Sequence, residues 1–435
     1  MRIRHLVTVA ALVAARDSAR AQHVSFGAQV VPLLTRADPT PVGHALTEGY
    51  LTQPVIMGHA AWGYLRGVAT ANLEGLTLER GELNTGSYGE GYVDRRHPHT
   101  YVHELLAGAE IDRGATRASL FFGRGFAPFG TDDPMSRPIV KYPINHHLAQ
   151  VLERIVAVAA VRQGPAIVEL GVFNGDEPLS PFSAPNWSRF GDSWSTRLTL
   201  LPIAGAELVA SYASVASPEV RAGGGLDQRK ASASARYSTI DSTTWRYGLV
   251  EWARTNERDR GVTSTRLSSV LAEGAYCRAG TIAVARVEQT DRPEEEQLSD
   301  PFRTPRPPID LTNLGVSRWT TATLSLSPPA FARGSFSGRP FVEIARTHAA
   351  PGNPPGVFSA ERRYGSSSMW VASAGARLRF GSMHGRMGRY GAADPDAAAM
   401  NAGTHAHGME SHQVMDMSAH ASAPAPMSPV SRCTL

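Results

Sequence analysis

From residue 23 to residue 380 the chain repeats one pattern: short runs whose side chains alternate between apolar and polar, separated by clusters of Gly, Pro, Asp and Asn. Alternation with period two is the signature of a strand with one greasy face and one wet face. In 193–201, Trp194, Thr196, Leu198 and Leu200 share one face, while Ser195, Arg197 and Thr199 share the other. In 166–174, Val168, Leu170 and Val172 oppose Glu169, and in 320–327, Ala322, Leu324 and Leu326 oppose Thr321, Thr323, Ser325 and Ser327. Runs of this kind are expected at 56–65, 70–78, 101–111, 118–126, 154–161, 166–174, 193–201 and 206–214. They continue at 230–239, 244–254, 265–276, 281–288, 315–327, 340–347 and 369–380, with 23–31 as a sixteenth.

The last run separates the possible architectures. One face of 369–380 carries Trp370, Ala372, Ala374, Ala376, Leu378 and Phe380; the other carries Val371, Ser373, Gly375, Arg377 and Arg379. Two arginines do not belong in the dry core of a sandwich or propeller, but they suit a barrel wall with lipid outside and a wet lumen inside. Runs of ~9–11 residues match a tilted strand crossing a bilayer. The fold class expected is therefore all-β, a transmembrane antiparallel β-barrel of about 14–16 strands, the count being even as in bacterial single-chain barrels. Seven tryptophans (Trp62, Trp187, Trp194, Trp245, Trp252, Trp319, Trp370) are expected at the interfacial girdles.

Composition narrows the setting. No stretch after the N-terminus approaches the ~18–20 uncharged apolar residues of a membrane helix. A net charge of +4 is small for 435 residues and points away from nucleic acid. Residues 1–21 read as a secretory signal: Arg2 and Arg4, an apolar run from Leu6 to Ala15, then Ala19-Arg20-Ala21 as a small-x-small cleavage site. The barrel is then expected over 22–381 and a disordered Met/His-rich tail over 382–435. Two cysteines, Cys277 and Cys433, make no disulfide framework, and their pairing stays open. Short turns at Gly164-Pro165 and Pro202–Gly205 suit the periplasmic side; the long loops 176–192, 291–310 and 349–367 suit the outer side. The long, Pro-rich loop 125–147 is expected to fold into or over the pore.

Three stretches resemble known outer-membrane proteins. Ser373-x-Gly375-x-x-Leu378-x-Phe380 resembles the closing-strand signal of bacterial barrels, which implies recognition of Gly375, Leu378 and Phe380 by the barrel assembly machinery. Gly125-x-x-Pro128-Phe129-Gly130 resembles the strand-to-loop segment of porins. With His97-Pro98-His99 and Asn145-His146-His147, it is similar to porin-like outer-membrane proteins of Gram-negative bacteria of a copper-associated type. The lumen lacks the lysines of phosphate-selective porins, since Lys141 and Lys230 are the only lysines.

The remaining chemistry is metal-like. As an extended strand His97, His99 and His103 point to one side, and His146 and His147 would complete a nitrogen site if the fold brought them close. A bland reading is rim histidines bonded to nearby carboxylates such as Asp94 and Glu104. The tail holds seven of eleven methionines and five of fifteen histidines. Within it, His405-x-His407-x-Met409-x-x-His412 and Met415-x-Met417-x-x-His420 resemble the Met/His clusters of periplasmic copper proteins, thioether and imidazole being ligands for Cu(I) and Cu(II).

No catalytic constellation is present: Gly-x-Ser-x-Gly, a phosphate loop and His-Glu-x-x-His are all absent. The expected function is a pore or transport component of the bacterial outer membrane, not an enzyme, with Glu169, Arg197, Arg377 and Arg379 lining the lumen. No cofactor is required. Copper or another metal is the expected ligand of the tail in the periplasm, and outer-membrane lipid the surrounding partner. Two other readings fit the same residues: a secreted or surface metal-binding β-protein without a pore, and an outer-membrane barrel enzyme acting on lipid.

Overall fold

Most strands bury every second side chain against the interior and leave the next one on the outer surface. In a computed structural model, seventeen strands form one antiparallel sheet that closes on itself. The structure describes residues 23–40, 44–78, 82–83, 100–131, 133–178, 180–241, 244–295, 313–357, 359–383, 386–396 and Cys433. The strands are β1 (His23–Asp38), β2 (Leu46–Trp62), β3 (Leu65–Asn72), β4 (Val102–Arg113), β5 (Thr116–Gly125), β6 (Arg154–Gln163), β7 (Ala166–Phe173) and β8 (Ser193–Leu200). They continue with β9 (Ala206–Val215), β10 (Asp227–Ile240), β11 (Thr244–Asp259), β12 (Val262–Arg278), β13 (Thr281–Glu295), β14 (Asn313–Ser327), β15 (Phe331–Arg333), β16 (Phe336–Pro351) and β17 (Ser368–Gly381). The three-residue β15 pairs only with the foot of β16, so the wall is a closed barrel of 16 strands.

Closure is made by β1, which pairs with β2 on one side and β17 on the other, from Gly27 opposite Gly381 to Asp38 opposite Trp370. A closed barrel leaves no unpaired strand edge, the condition for a sheet to cross lipid. The outer face is apolar: Leu34, Leu120, Val168, Leu170, Val250, Leu324 and Val342 are all more than half exposed. The inner face is polar: Thr35, Glu169, Ser195, Arg197, Thr199, Glu251 and Thr347 are almost wholly buried. This inverts the soluble arrangement and identifies a transmembrane barrel, in which lipid covers the exposed leucines and valines. No helix among the described residues is long and apolar enough to cross a membrane, so the crossing is made by strands.

All sixteen expected runs fall in strands, many of them longer than expected: β11 runs on to Asp259 and β13 to Glu295. β2 starts at Leu46, ten residues before the expected 56, its first residues pairing with β1 from Ala37 to Val31; Gln53 takes a left-handed backbone (φ 51°) that breaks the alternation between the two halves. The run 70–78 stops at Asn72: the Asn72 Oδ1 accepts from the Glu74 amide at 2.8 Å and opens the short helix Glu74–Thr77. Two tryptophans depart from the girdle expectation. Trp319 is fully buried and faces the lumen, donating to Glu294 at 3.1 Å and Ser317 at 2.6 Å. Trp245 also faces inward, stacked on Tyr247 at 5.7 Å. Trp62, Trp187, Trp194 and Trp370 are exposed on the outside.

The tail divides. Residues 386–396 belong to the barrel interior rather than to a free extension, because their arginines and tyrosine find carboxylates on the inner wall. Cys433 is buried and forms a disulfide with Cys277 near the end of β12. The signal segment and residues 397–432 lie outside the described residues.

Candidate functional site

The interior is organised by two segments that enter the barrel. The first joins β5 to β6, and nearly every described residue from Phe126 to Leu152 is buried. Its start is shaped by glycine and proline. Gly130 has φ +75° and sits so close to Ala149 that a Cβ would lie 1.7 Å from that carbonyl oxygen. Gly171 on β7 clears room for Pro128, which a Cβ there would meet at 2.4 Å. The Gly125-x-x-Pro128-Phe129-Gly130 pattern therefore turns the chain inward.

Once inside, the segment is fastened to strands all round the wall. Gly130 N donates to Ser211 on β9 at 2.9 Å. Glu251 on β11 accepts from Thr131, from Arg137 at 3.0 Å and from Asn145 at 2.8 Å. On β13, Glu288 accepts from the Ile144 amide at 2.7 Å, and Arg286 donates to the Lys141 carbonyl at 2.9 Å. Gln53 on β2 donates to the Val140 carbonyl at 2.9 Å, and Arg377 on β17 to the Arg137 carbonyl at 3.2 Å. Lys141 reaches Tyr50, the Leu83 carbonyl at 2.9 Å and Glu82 at 2.9 Å. Burial raises the Glu82 carboxyl above its ordinary range, with Lys141 only partly offsetting that. A segment held by charge-assisted bonds on so many strands is a fixed constriction.

The second segment follows β17 and fills the lumen against β4 to β9. Arg386 forks onto Glu207 at 2.7 and 3.0 Å. Arg389 donates to Glu207 at 3.1 Å, Glu169 at 3.3 Å and Thr199 at 2.9 Å. Tyr390 donates to Glu104 at 2.9 Å and accepts from the Phe126 amide at 3.0 Å, so the two segments touch. Ala392 and Ala393 pack on Ala160. Burial lowers the Arg389 guanidinium to about 10, and burial together with the Glu104 charge raises the Tyr390 phenol well above its usual value.

Between these segments and the opposite wall lies a cavity of about 420 Å³. Gln29, Ser238 and Ile240, near the short-turn ends of β1 and β10, mark its level. Arg236 and Arg379 give it positive charge, the Glu207-paired Arg386 borders it, Trp245 and Tyr247 form an aromatic side, and Met57, Met135, Met383 and Met387 an apolar side. Asp396 and Cys433 also border it.

The four residues expected in the lumen all point inward. Glu169 and Arg197 pair there, Arg377 meets the constriction, and Arg379 donates to Gln29 at 2.8 Å on the cavity wall. Leu378 and Phe380 lie on the outer parity of β17, and Gly375 backs closely onto Pro32 and Leu33 of β1.

Of the expected metal ligands, His103 is buried with its Nδ1 2.6 Å from Glu153. His146 is buried and stacked on Tyr142 at 5.1 Å, at the start of the helix His146–Ala149 that also contains His147. Among the described residues no three His, Cys, Asp or Glu side chains gather closely enough to hold a metal ion. His97, His99, His405, His407, Met409, His412, Met415, Met417 and His420 lie outside the described residues. The residues missed at the sequence level are Glu251, Glu207, Arg386 and Arg389. Parity could have found the two glutamates, since each faces away from neighbouring apolar residues: Glu251 from Val250 and Trp252, Glu207 from Leu208.

No family model matches the chain, and no curated protein matches it. Among solved structures it is similar to an anion-selective porin from Comamonas acidovorans, at 9% identity and a TM-score of 0.48, covering 83% of this chain and 100% of that one. It is also similar to OmpT, an outer membrane protein of Vibrio cholerae, at 11% identity and a TM-score of 0.47, covering 83% and 100%. A third is the outer membrane protein opdK from Pseudomonas aeruginosa, at 9% identity and a TM-score of 0.41, covering 83% and 99%.

Proposed function

We propose that this chain is a channel protein of the bacterial outer membrane, its bore set by the inward loop between β5 and β6. The observation that carries this reading is the lumen itself. A polar inner wall encloses a constriction fastened to strands on all sides, beside a cavity of about 420 Å³ bearing three arginines. A barrel built only to anchor a surface site has no use for an internal loop held so firmly. Charge at Arg236 and Arg379 would favour anionic over cationic solutes in the intact chain, by the same field that sets selectivity in other pores.

In this reading the short turns and the end of β17 face the periplasm, and Leu378 and Phe380 present the closing-strand signal to the assembly machinery. The finer proposal is that residues 400–420 bind copper there, supported by their methionine and histidine content. Planar-bilayer recording of the purified full chain tests the pore: small, steady steps with anion preference are expected, and a silent bilayer from a folded barrel would remove the reading. Copper titration against a chain with His405, His407, Met409, His412, Met415, Met417 and His420 replaced by Ala tests the tail. Equal stoichiometry in both would remove copper.

A further inference from the structure

On the outside of the wall a groove of about 740 Å³ lies over β17. Small side chains, Ala372 and Ala374, make its floor. Its sides are higher: Leu34 on β1, Val342 and Ile344 on β16, and Leu324 and Leu326 on β14 are 46–61% exposed. Register sets the trough. Ala374 stands between Val342 and Leu34, and Ala372 between Ile344 and Arg36. In a wall that faces lipid, such a trough takes acyl chains.

What distinguishes this trough is the charge at one end. Arg36 follows Leu34 on the outer face of β1, and Arg346 follows Ile344 on that of β16; both are exposed. Each is thus the first polar residue beyond the aliphatic band of its strand. Arg36 donates to Thr47 at 3.4 Å, and the Arg346 guanidinium lies over the Trp370 ring at 5.2 Å. The indole braces one face of that guanidinium and leaves its N–H edge for another acceptor. Among the described residues neither arginine has an ion-pair partner.

The neighbouring acidic groups do not cancel the pair. Asp38, opposite Trp370, is one exposed charge against two. Asp291 is held by Arg318 at 2.7 Å. Glu48 stands opposite Thr35 on the inner parity, and Glu343 faces the lumen, where it accepts from the Val140 amide. His348 lies on the same outer face beyond Arg346, its Nδ1 3.4 Å from the Ser368 hydroxyl.

Spacing selects the ligand. Two strand steps of about 4.8 Å and a two-residue offset of about 6.6 Å place the arginine backbones about 12 Å apart. That separation suits two phosphates carried on one headgroup better than a single phosphate. From β14 to β2 the groove is about 19 Å across, which admits several acyl chains side by side.

We infer that the β16–β17–β1 face binds one phosphorylated glycolipid of the lipid A class. Its disaccharide carries a phosphate toward each of Arg36 and Arg346, and its chains lie along Ala372 and Ala374. Guanidinium forks match phosphate oxygens, which fixes the headgroup while the trough holds the chains. The charged end is remote from the short turns, so it meets the outer leaflet in the orientation proposed above. The inference rests on that orientation and not on conduction.

Native mass spectrometry of the full chain folded in detergent tests this with three added lipids: diphosphoryl lipid A, the same lipid without its phosphates, and phosphatidylglycerol. One lipid A per barrel should be retained, and the other two about tenfold less. R36Q/R346Q should retain lipid A about tenfold less than wild type. Ala374→Trp, which fills the trough and keeps both arginines, should also lose it. Heat-modifiable gel mobility verifies that each variant is folded. Undiminished lipid A on folded R36Q/R346Q, or phosphatidylglycerol held as well as lipid A, would overturn the inference. So would oligomers that form without lipid and disappear in Ala374→Trp, since the face would then belong to a second copy of the chain. Lipid A retained by a barrel that is silent in bilayers would remove the channel and leave this site standing.

Discussion

Glu169 on β7 and Arg197 on β8 are register partners, and the arginine donates from Nε and Nη2 to both carboxylate oxygens, each at 2.6 Å. The pair is sealed in the lumen, with Glu169 fully buried and Arg197 nearly so. Arg389 adds a third charge to it at 3.3 Å. Removing one partner of such a pair leaves the other charge uncompensated, at roughly 3–5 kcal/mol. Glu169→Gln should therefore lower the thermal unfolding midpoint of the detergent-folded barrel and loosen Arg389. Glu169→Gln unfolding at the wild-type temperature would show that water reaches Arg197.

The disulfide between Cys277 and Cys433 closes a span of 156 residues containing β13 through β17. Constraining an unfolded chain over such a length contributes on the order of 4 kcal/mol. Cys433→Ser should lower resistance to denaturant by about that amount, yet leave conductance unchanged, because Arg386 and Arg389 seat independently of it. A change in conductance at constant stability would show instead that Cys433 itself shapes the bore.

Protonation should tighten the constriction. Glu82 meets Lys141 at 2.9 Å, but burial outweighs that attraction and raises its carboxyl above the ordinary 4.5. The docked state thus holds the proton more firmly than the unfolded one. Its contribution to stability is full below pH 4.5 and declines as pH rises through the raised value. Unfolding midpoints measured from pH 4 upward should fall over that window, and Glu82→Gln should flatten the profile. An unchanged slope in Glu82→Gln would assign the dependence to another group.

Strand content and face assignment were legible in the sequence because lipid and lumen impose opposite demands on alternate residues. Parity alone set Arg197, Arg377 and Glu169 on the face opposite the apolar residues, and all three are buried. Trp319 was not, since an indole that finds Ser317 and Glu294 inside is written with the same letter as one at the bilayer interface. The early start of β2 was hidden by one left-handed residue, Gln53. Arg386 and Arg389 lie in a Gly- and Met-rich stretch without periodicity. Their role depends on carboxylates nearly 180 or more residues away, Glu207 and Glu169, so no local signal announces it. The pairing of Cys277 with Cys433 was open for the same reason.

Glu251 is the residue through which the constriction can be released without touching the segment that follows β17. Its carboxylate receives Thr131, Arg137 and Asn145, three groups spread along the inward loop, and it is fully buried on β11. Charge-assisted bonds to a buried carboxylate are worth more than neutral ones, and Gln retains only one acceptor oxygen for three donors. Glu251→Gln should remove the ion pair to Arg137, loosen the first half of the loop and give larger, noisier single-channel steps. Selectivity should move further toward anions as Arg137 becomes available to solutes. Because Arg286, Glu288 and Glu343 still hold Val140 to Ile144, the loop should stay in the barrel. Steps of wild-type size and noise in Glu251→Gln would place the narrowest point elsewhere, at the Lys141 end of the segment.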